Sequence, residues 1–318
     1  MNLLEDTFKL SSDIHHKEFK QLDKMIKDAE KIVLFHHAKI DSDARASTVA
    51  MYMGIKEKYK KDIKIAKKDK IYDLTNKDLM IMLDVGDLFR LEGSYSGNPK
   101  IARIDHHPTS FKCDLNIEDI SAGSTAELVT LFLKNFNYPI TKQTAELLFS
   151  GIIADTGRLQ YTISDSTLIA LGILKSLNID YKSIYNRMYV KDEDDLKIKK
   201  YIIDNYQISP NGIAYLFLDK ERSLDAEIDM SRVGKQLYEL GNIKGSPIWV
   251  LITDIGRNRI TMRIRSRVLD INKIAERHGG GGLPNAAAIR VKSRLDAKRI
   301  LVELDKLLLD AKNNGLKE

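Results

Sequence analysis

Two rhythms alternate along the first half of the chain: short solid apolar runs, and stripes of apolar residues at helical spacing. Residues 17–30 place Phe19, Leu22, Ile26 and Ala29 at intervals of three and four, which predicts an amphipathic helix packed on a core. Lys31-Ile-Val-Leu-Phe35 then reads as a buried strand, followed by a polar loop reaching Asp43 and a helical pattern over 44–58. Residues 62–66 form a short strand candidate, Leu79–Leu83 a stronger one and 100–104 a third, each ending in polar residues. Ser124-Thr-Ala-Glu127 has the form of a capping box opening a helix to about 136. Further helices are expected over 141–154 and from Ser164 to just before Asn178. Strand, polar loop and helix in this repeating order predict a parallel sheet.

The texture changes after residue 180. Residues 180–205, with Lys191-Asp-Glu-Asp-Asp-Leu-Lys-Ile-Lys-Lys at their centre, are charged and helix-prone and suit an exposed connector. From Asn211 strands are expected over 212–218, 248–253 and 259–265, with helices near 229–240, 270–277 and 295–312. The expected fold is therefore α/β: a parallel-sheet domain over 1–190, a connector over 191–205 and a smaller α+β domain over 206–318.

At 318 residues the chain can bury two ordinary cores, and 43% hydrophobic with 30% charged residues is a globular balance. No apolar run approaches the roughly 18 residues that span a bilayer. Met1-Asn-Leu-Leu-Glu-Asp6 carries acids where a signal peptide carries bases, so a cytoplasmic protein with no membrane partner is expected. Cys113 stands alone, which rules out an intramolecular disulfide and a thiolate metal cluster within one chain and leaves histidine and carboxylate as metal ligands. A net charge of +6, from 51 basic and 45 acidic side chains, favours anionic ligands only mildly.

The polar residues at the element ends carry the chemistry. Asp105-His106-His107 directly follows the run 100–104, and Pro108 keeps a helix from starting at once. Taken alone, the triplet is as open to a structural reading as to a metal-binding one. His37, Asp41 and Asp43 follow the first strand, Asp84 follows Leu79–Leu83, and Asp155 closes the 141–154 helix. One aspartate at a strand end is ordinarily a turn former or N-cap. Loops from neighbouring parallel strands converge on one sheet edge, however, so several together favour a site. Imidazoles among carboxylates without a thiolate suit Mn2+, and less selectively Mg2+, Zn2+ or Fe2+. The inventory suffices for two ions about 3.5–4 Å apart, an arrangement used for in-line displacement at phosphorus.

These motifs resemble those of the DHH phosphoesterases. His37-Ala-Lys-Ile-Asp41-Ser-Asp43 looks like the first motif of that family, Asp84 like its second, Asp105-His106-His107 like the triplet that names it and Asp155-Thr-Gly-Arg158 like the fourth. Gly279-Gly-Gly-Gly-Leu-Pro-Asn-Ala-Ala287 is similar to the glycine motif of the DHH-associated C-terminal domain, so the likeness covers nearly the whole chain. It implies the two-domain form of nanoRNases, 3′-phosphoadenosine 5′-phosphate phosphatases and cyclic-dinucleotide phosphodiesterases, with the active site in the cleft between domains. His37 and Asp41 would hold one cation, Asp43, His106 and Asp155 the other, and Asp84 would bridge them. The ions would be two divalent cations, Mn2+ first and Mg2+ second. His107 would face the scissile phosphate, Asp105 would orient an imidazole, and Arg158 would neutralise a non-bridging oxygen. His36 and Asp87 have no counterpart in the family and read as loop residues.

In the second half, the arginines from Arg257 to Arg267 all fall on odd positions while Ile260, Met262 and Ile264 fall on even ones. A strand there would gather the bases on one face, either for phosphate contact or as an ordinary solvated face. The glycines that follow are expected to offer bare N–H groups to a phosphate ahead of a helix N-terminus. The resemblance implies substrate contacts from Arg265, Ser266, Gly280, Gly281 and Gly282. One departure stands out: the histidine that usually ends the glycine motif is Leu283 here, with Ala288 where glycine is common and His278 as a nearby substitute. The expected activity is Mn2+-dependent hydrolysis of short oligoribonucleotides, pApA or 3′-phosphoadenosine 5′-phosphate. The alternatives are a cyclic di-AMP phosphodiesterase, a pyrophosphatase, or a nucleotide-binding protein with impaired catalysis. No stable protein partner is evident, and a homodimer stays open.

Overall fold

A parallel five-stranded sheet organises the first half of the protein, seen in a computed structural model that describes residues 13–109, 111–256 and 259–316. The chain divides into two units, Met1–Tyr189 and Val190–Glu318. In the first, helix α1 (His16–Asp28) leads into β1 (Lys31–Phe35), α2 (Ser42–Tyr59), β2 (Asp62–Ile65), β3 (Ile71–Leu74), β4 (Leu79–Leu83), β5 (Ser94–Gly97), β6 (Lys100–Asp105) and β7 (Leu115–Glu118). Helices α3 (Thr125–Asn135), α4 (Lys142–Asp155), α5 (Asp165–Ser176) and α6 (Tyr181–Tyr189) follow.

The strand order is β2-β1-β4-β6-β7 and every neighbouring pair is parallel. Both faces are covered, which is why β4 is apolar and buried throughout rather than alternating. β1 divides its side chains between the two faces. Ile32 and Leu34 join the helices α1 to α5, while Val33 and Phe35 join Met80, Met82, Tyr72 and Leu74 on the other side. The second face is closed by β3 and β5, a parallel two-stranded ribbon. This ribbon and β7 were not expected from the sequence: Ser94-Tyr-Ser-Gly97 and Leu115-Asn-Ile-Glu118 carry too few apolar residues to signal a strand. Because β1, β4 and β6 lie side by side, the loops that follow them leave the same edge of the sheet.

In the second unit α7 (Glu193–Asn205), β8 (Gln207–Ile208), β9 (Ala214–Asp219), α8 (Lys220–Asp225) and α9 (Met230–Val233) precede a 3-10 segment (Gly234–Asn242). Then come β10 (Ile248–Asp254), β11 (Ile260–Ser266), α10 (Asn272–Arg277), β12 (Gly281–Leu283), β13 (Ala286–Val291) and α11 (Arg294–Asn313). The six strands run β12-β13-β11-β10-β9-β8, antiparallel except for β9 with β10. Helix α11 buries Ala297, Ile300, Leu304 and Leu308 against the apolar face of β10, β11 and β13.

Residues 191–205, expected as an exposed connector, belong to this second unit: Ile198 and Ile202 of α7 are buried, Arg232 pairs with Asp192 at 2.7 Å, and Lys191 with Glu239 at 2.7 Å. Among the described residues no helix is long and apolar enough to cross a membrane.

Candidate metal centre

The loop after β1 and the loop after β4 are stitched together by backbone bonds, Ala38 N–H to Arg90 O at 2.7 Å and Glu92 N–H to His36 O at 2.8 Å. His37 is thereby fixed beside Asp84. Asp41 caps α2, its Oδ1 accepting from Asp43 N–H and Ala44 N–H at 3.1 and 3.0 Å. Asp43, in the first turn of α2 and 1% exposed, accepts from Thr125 N–H and Ala126 N–H, both at 2.7 Å. The start of α3 thus holds one carboxylate through unpaired helix N–H groups, where negative charge is favoured. Asp84 ends β4 in the left-handed region, φ 58°, a conformation that aspartate tolerates better than most residues, and Thr125 Oγ1 donates to its Oδ1 at 3.2 Å.

Three ligand groupings result, each with donor atoms within 4.8 Å of one another: His37, Asp41 and Asp84; Asp43, His106 and Asp155; and Asp84 with Asp105, His106 and His107. Asp84 is common to two of them. Its Oδ2 lies 3.5 Å from His37 Nε2, and its Oδ1 lies 3.8 Å from His106 Nε2 and 3.4 Å from His107 Nδ1. His37 Nε2 also faces Asp41 at 3.4 Å, and His106 Nε2 faces Asp155 at 3.1 Å and Asp43 at 4.0 Å.

One observation tests whether this donor set fits a cation. His106 Nδ1 lies 3.2 Å from Ala122 O, and a carbonyl can only accept, so the ring proton sits on Nδ1. In the neutral ring, the form that a cation takes, this leaves Nε2 as a buried lone pair with no hydrogen-bond partner, aimed at three carboxylates. A metal ligand has this tautomer and this support from its other nitrogen. His107 is held differently: Asp105 Oδ1 takes both its Nδ1–H and its backbone N–H, each at 2.8 Å.

The electrostatics show how strongly the cluster calls for positive charge. Burial, then the nearby Asp84 and Asp155 charges, raise the Asp43 carboxyl well above its usual range. For Asp84 burial works in the same direction, but hydrogen bonds from His107 and His37 outweigh it and hold the group well below. Hydrogen bonds to Asp41 and Asp84 push His37 up to about 10. Burial disfavours charge on His106 and His107, yet Asp155 raises the first to about 9, and Asp105 with Asp84 raises the second to about 11.

Two residues that the sequence reading gave no part in the site support the centre. Arg103 is 0% exposed in the middle of β6 and reaches Asp105 Oδ2 at 2.8 Å, Glu118 at 3.0 Å, His107 O at 2.7 Å and Val85 O at 2.9 Å. A charged residue inside an otherwise apolar strand was the available signal. Glu127, buried in the first turn of α3, accepts from Gly123 N–H and from the hydroxyls of Ser166 and Thr167, tying α5 to the start of α3. His36, read as a loop residue, is buried with Nδ1 3.0 Å from His37 O, and Asp87 precedes a short 3-10 turn. Arg158 follows Asp155 in a left-handed run, φ 55°, 64° and 65° over Gly157, Arg158 and Leu159, with its guanidinium 4.9 Å from the Tyr189 ring centre.

The second unit keeps some of its expectations and loses others. Ile260, Met262 and Ile264 are buried while Arg263 and Arg265 share the other side of β11, as the alternation requires; Arg257 lies outside the described residues. Arg267 is spent on the carbonyls of Gly241, Ile243 and Ser246. Ser266 is 2% exposed and its Oγ accepts from Val268 N–H and Leu269 N–H, a turn-shaping role rather than a ligand-facing one. The glycines do not precede a helix. Gly281–Leu283 is strand β12, paired with β13, and a Cβ at Gly280 or Gly282 would sit 2.4 Å from Ala288 O or 2.2 Å from Ala286 O. His278 is engaged by Glu303 at 2.6 Å.

Comparison with known proteins adds a second line. Residues 31–152 match the DHH family, N-terminal domain, and residues 211–310 match the DHHA1 domain. A bifunctional oligoribonuclease and PAP phosphatase NrnA of Bacillus subtilis is 29% identical over 297 residues, 87% of this chain and 95% of that protein. A probable bifunctional oligoribonuclease and PAP phosphatase NrnA of Streptococcus mutans is 28% identical over 307 residues, 91% of this chain and 99% of that protein. Among solved structures, an exopolyphosphatase-related protein of Bacteroides fragilis shares the fold, with a TM-score of 0.78 at 22% identity over 93% of this chain and 98% of that one.

Proposed function

Because this chain belongs to the DHH family and carries a DHHA1 domain in its second half, we propose that it is a metal-dependent phosphoesterase acting on short oligoribonucleotides and on 3′-phosphoadenosine 5′-phosphate. The observation that carries the reading is Asp84, whose two oxygens face different ligand groups, His37 and Asp41 on one side and His106 on the other. His37 and Asp41 are assigned to one divalent cation, Asp43, His106 and Asp155 to the second, and Asp84 to both, with Mn2+ preferred over Mg2+. When bound, such a pair lowers the pKa of a coordinated water and offsets charge on the phosphoryl oxygens.

The protein's own residues supply orientation. Asp43 is fixed by the α3 amides, and His106 by Ala122 O. With Nδ1 of His107 held by Asp105, Nε2 is its remaining ring nitrogen, and we assign it to the scissile phosphate. Arg158 is assigned to a non-bridging oxygen, where a guanidinium suits phosphate geometry. In the second unit Arg265, Gly280, Gly281 and Gly282 are assigned to the substrate. Leu283, in place of the usual imidazole, favours one second reading, a nucleotide-binding protein with impaired catalysis.

The test is hydrolysis, with Mn2+ or Mg2+, of pApA, 3′-phosphoadenosine 5′-phosphate, cyclic di-AMP and RNAs from two to about twenty-four nucleotides. Turnover concentrated on the shortest RNAs and the bisphosphate is expected. Equal rates on long and short RNA would contradict the proposal, and binding without turnover of any substrate would establish the second reading.

A further inference from the structure

A cavity of about 680 Å³ opens in the second unit between β8, β9 and α11, within the size range of small-molecule sites. It exists because β8 is too short to cover its neighbour. β8 pairs with β9 only at Ala214 and Tyr215, and among the described residues no strand pairs with that side of β9 onward to Asp219. Tyr215 and Phe217 alternate along β9 and so point to one face, where with Ile252 and Leu301 they make an apolar floor.

The rim is basic, and its charges are not equivalent. Arg294 stands 4.8 Å from the Phe217 ring centre and is held there by Asp219 at 3.2 Å and Asp254 at 3.1 Å. Arg222 lies 5.9 Å from the same ring and donates to Phe217 O at 3.3 Å. Arg294 is thereby placed and largely neutralised, and Arg222 is placed, with Asp219 3.9 Å from its Nε. Lys298, one turn further along α11, lines the same cavity, is exposed and has no ion pair among the described residues. Asp305, the acid in the lining, is occupied by Ser209 and Asn211.

We propose that this cavity binds a nucleoside monophosphate, its base on the apolar floor beside the anchored arginines and its phosphate on Lys298. Planar guanidinium and ring faces suit a base, and an uncompensated ammonium above them suits a phosphate. A purely apolar ligand would leave Lys298 without a role, and inorganic phosphate would leave the floor empty. Every residue of the site lies within Val190–Glu318, so the proposal does not rest on the hydrolytic reading.

The experiment titrates the full chain with AMP, adenosine and inorganic phosphate by calorimetry, in the wild type and in Asp84→Asn, which disables the metal centre. AMP is expected to bind the Asp84→Asn protein, more tightly than either fragment. Lys298→Glu in that background is expected to weaken AMP about tenfold, the loss of one charge-assisted contact. Leu301→Trp, which fills the floor, should weaken AMP and adenosine together, while Lys298→Glu alone leaves pApA turnover unchanged. Loss of AMP binding in Asp84→Asn, undiminished binding in the Lys298→Glu protein, or equal binding of AMP and adenosine would each overturn the proposal.

Discussion

Arg103→Met removes a fully buried guanidinium while keeping most of its volume, and it should unsettle both the first unit and its metal centre. Arg103 forms ion pairs with Asp105 at 2.8 Å and Glu118 at 3.0 Å, and it also donates to Val85 O and His107 O. Asp105 is wholly buried, so methionine leaves a carboxylate oxygen with neither water nor partner. Breaking one side of a buried pair costs about 3–5 kcal/mol, because the stranded charge keeps its desolvation penalty after the attraction is gone. For a domain of this size that corresponds to a fall in Tm of roughly 10 °C. Trp249, the single tryptophan, lies in the second unit, so circular dichroism rather than tryptophan fluorescence should follow the transition. The same change frees Asp105, which holds the His107 ring assigned to the scissile phosphate, so turnover of pApA should fall about 10- to 100-fold, as it does when supporting hydrogen bonds around a metal site are lost. A destabilisation below about 1 kcal/mol with unaltered pApA turnover would refute the argument.

Four further outcomes follow from the site. Asp84→Asn should abolish binding of a second cation and lower turnover more than about 100-fold with the circular dichroism spectrum unchanged; normal turnover would sink the two-cation assignment. His37 and His106, raised to about 10 and about 9, carry protons at neutral pH that a cation must displace, so Mn2+ affinity should fall as pH falls, by up to about tenfold per unit for each proton released. Calorimetry in buffers of different ionisation enthalpy counts those protons, and an affinity flat from pH 8 to 6 would contradict the sign. Gly281→Ala should fold normally, since a Cβ there meets nothing within 4 Å, yet raise KM for dinucleotides; an unchanged KM removes Gly281 from the substrate contacts. Leu283→His should raise turnover of short substrates, and an unaltered profile across pApA, the bisphosphate and short RNAs would show that the position is irrelevant.

The residues of the candidate centre could be picked out in the sequence because each lies within eight residues of the end of a solid apolar run or closes a helix of clear periodicity: His37 two residues after Phe35, Asp84 directly after Leu83, Asp105 directly after Ile104, Asp155 at the end of α4. Local pattern fixes such positions, and parallel topology does the rest. Arg103 was not legible as a support, because its partners Val85, Glu118 and His107 come from three separate segments that meet only once β4, β6 and β7 pair. The surroundings of Ser266 were not legible for a similar reason, being a turn that forms around its own oxygen. The glycines carry a second requirement that the pattern did not show. They read as bare amides awaiting a phosphate, whereas Gly280 and Gly282 are first required by the close backbone approach of β12 to β13.

Asp43 shows why the centre is more than a collection of acids at loop ends. Both its oxygens already accept backbone N–H groups from the first turn of α3, and Thr125 of that same turn donates to Asp84. Glu127, two residues on, holds the start of α5. The N-terminus of α3 therefore sets the spacing between one assigned terminal ligand and the assigned bridge, using donors that the helix leaves unpaired in any case. Asp43 Oδ1 also accepts from Ser47 Oγ at 3.3 Å, whereas Oδ2, which takes only the Thr125 N–H and faces His106, keeps a lone pair for a cation. Helix docking and cation binding then act on one carboxylate without competing, and the geometry of the site is fixed by the same bonds that join the helical layer to the sheet.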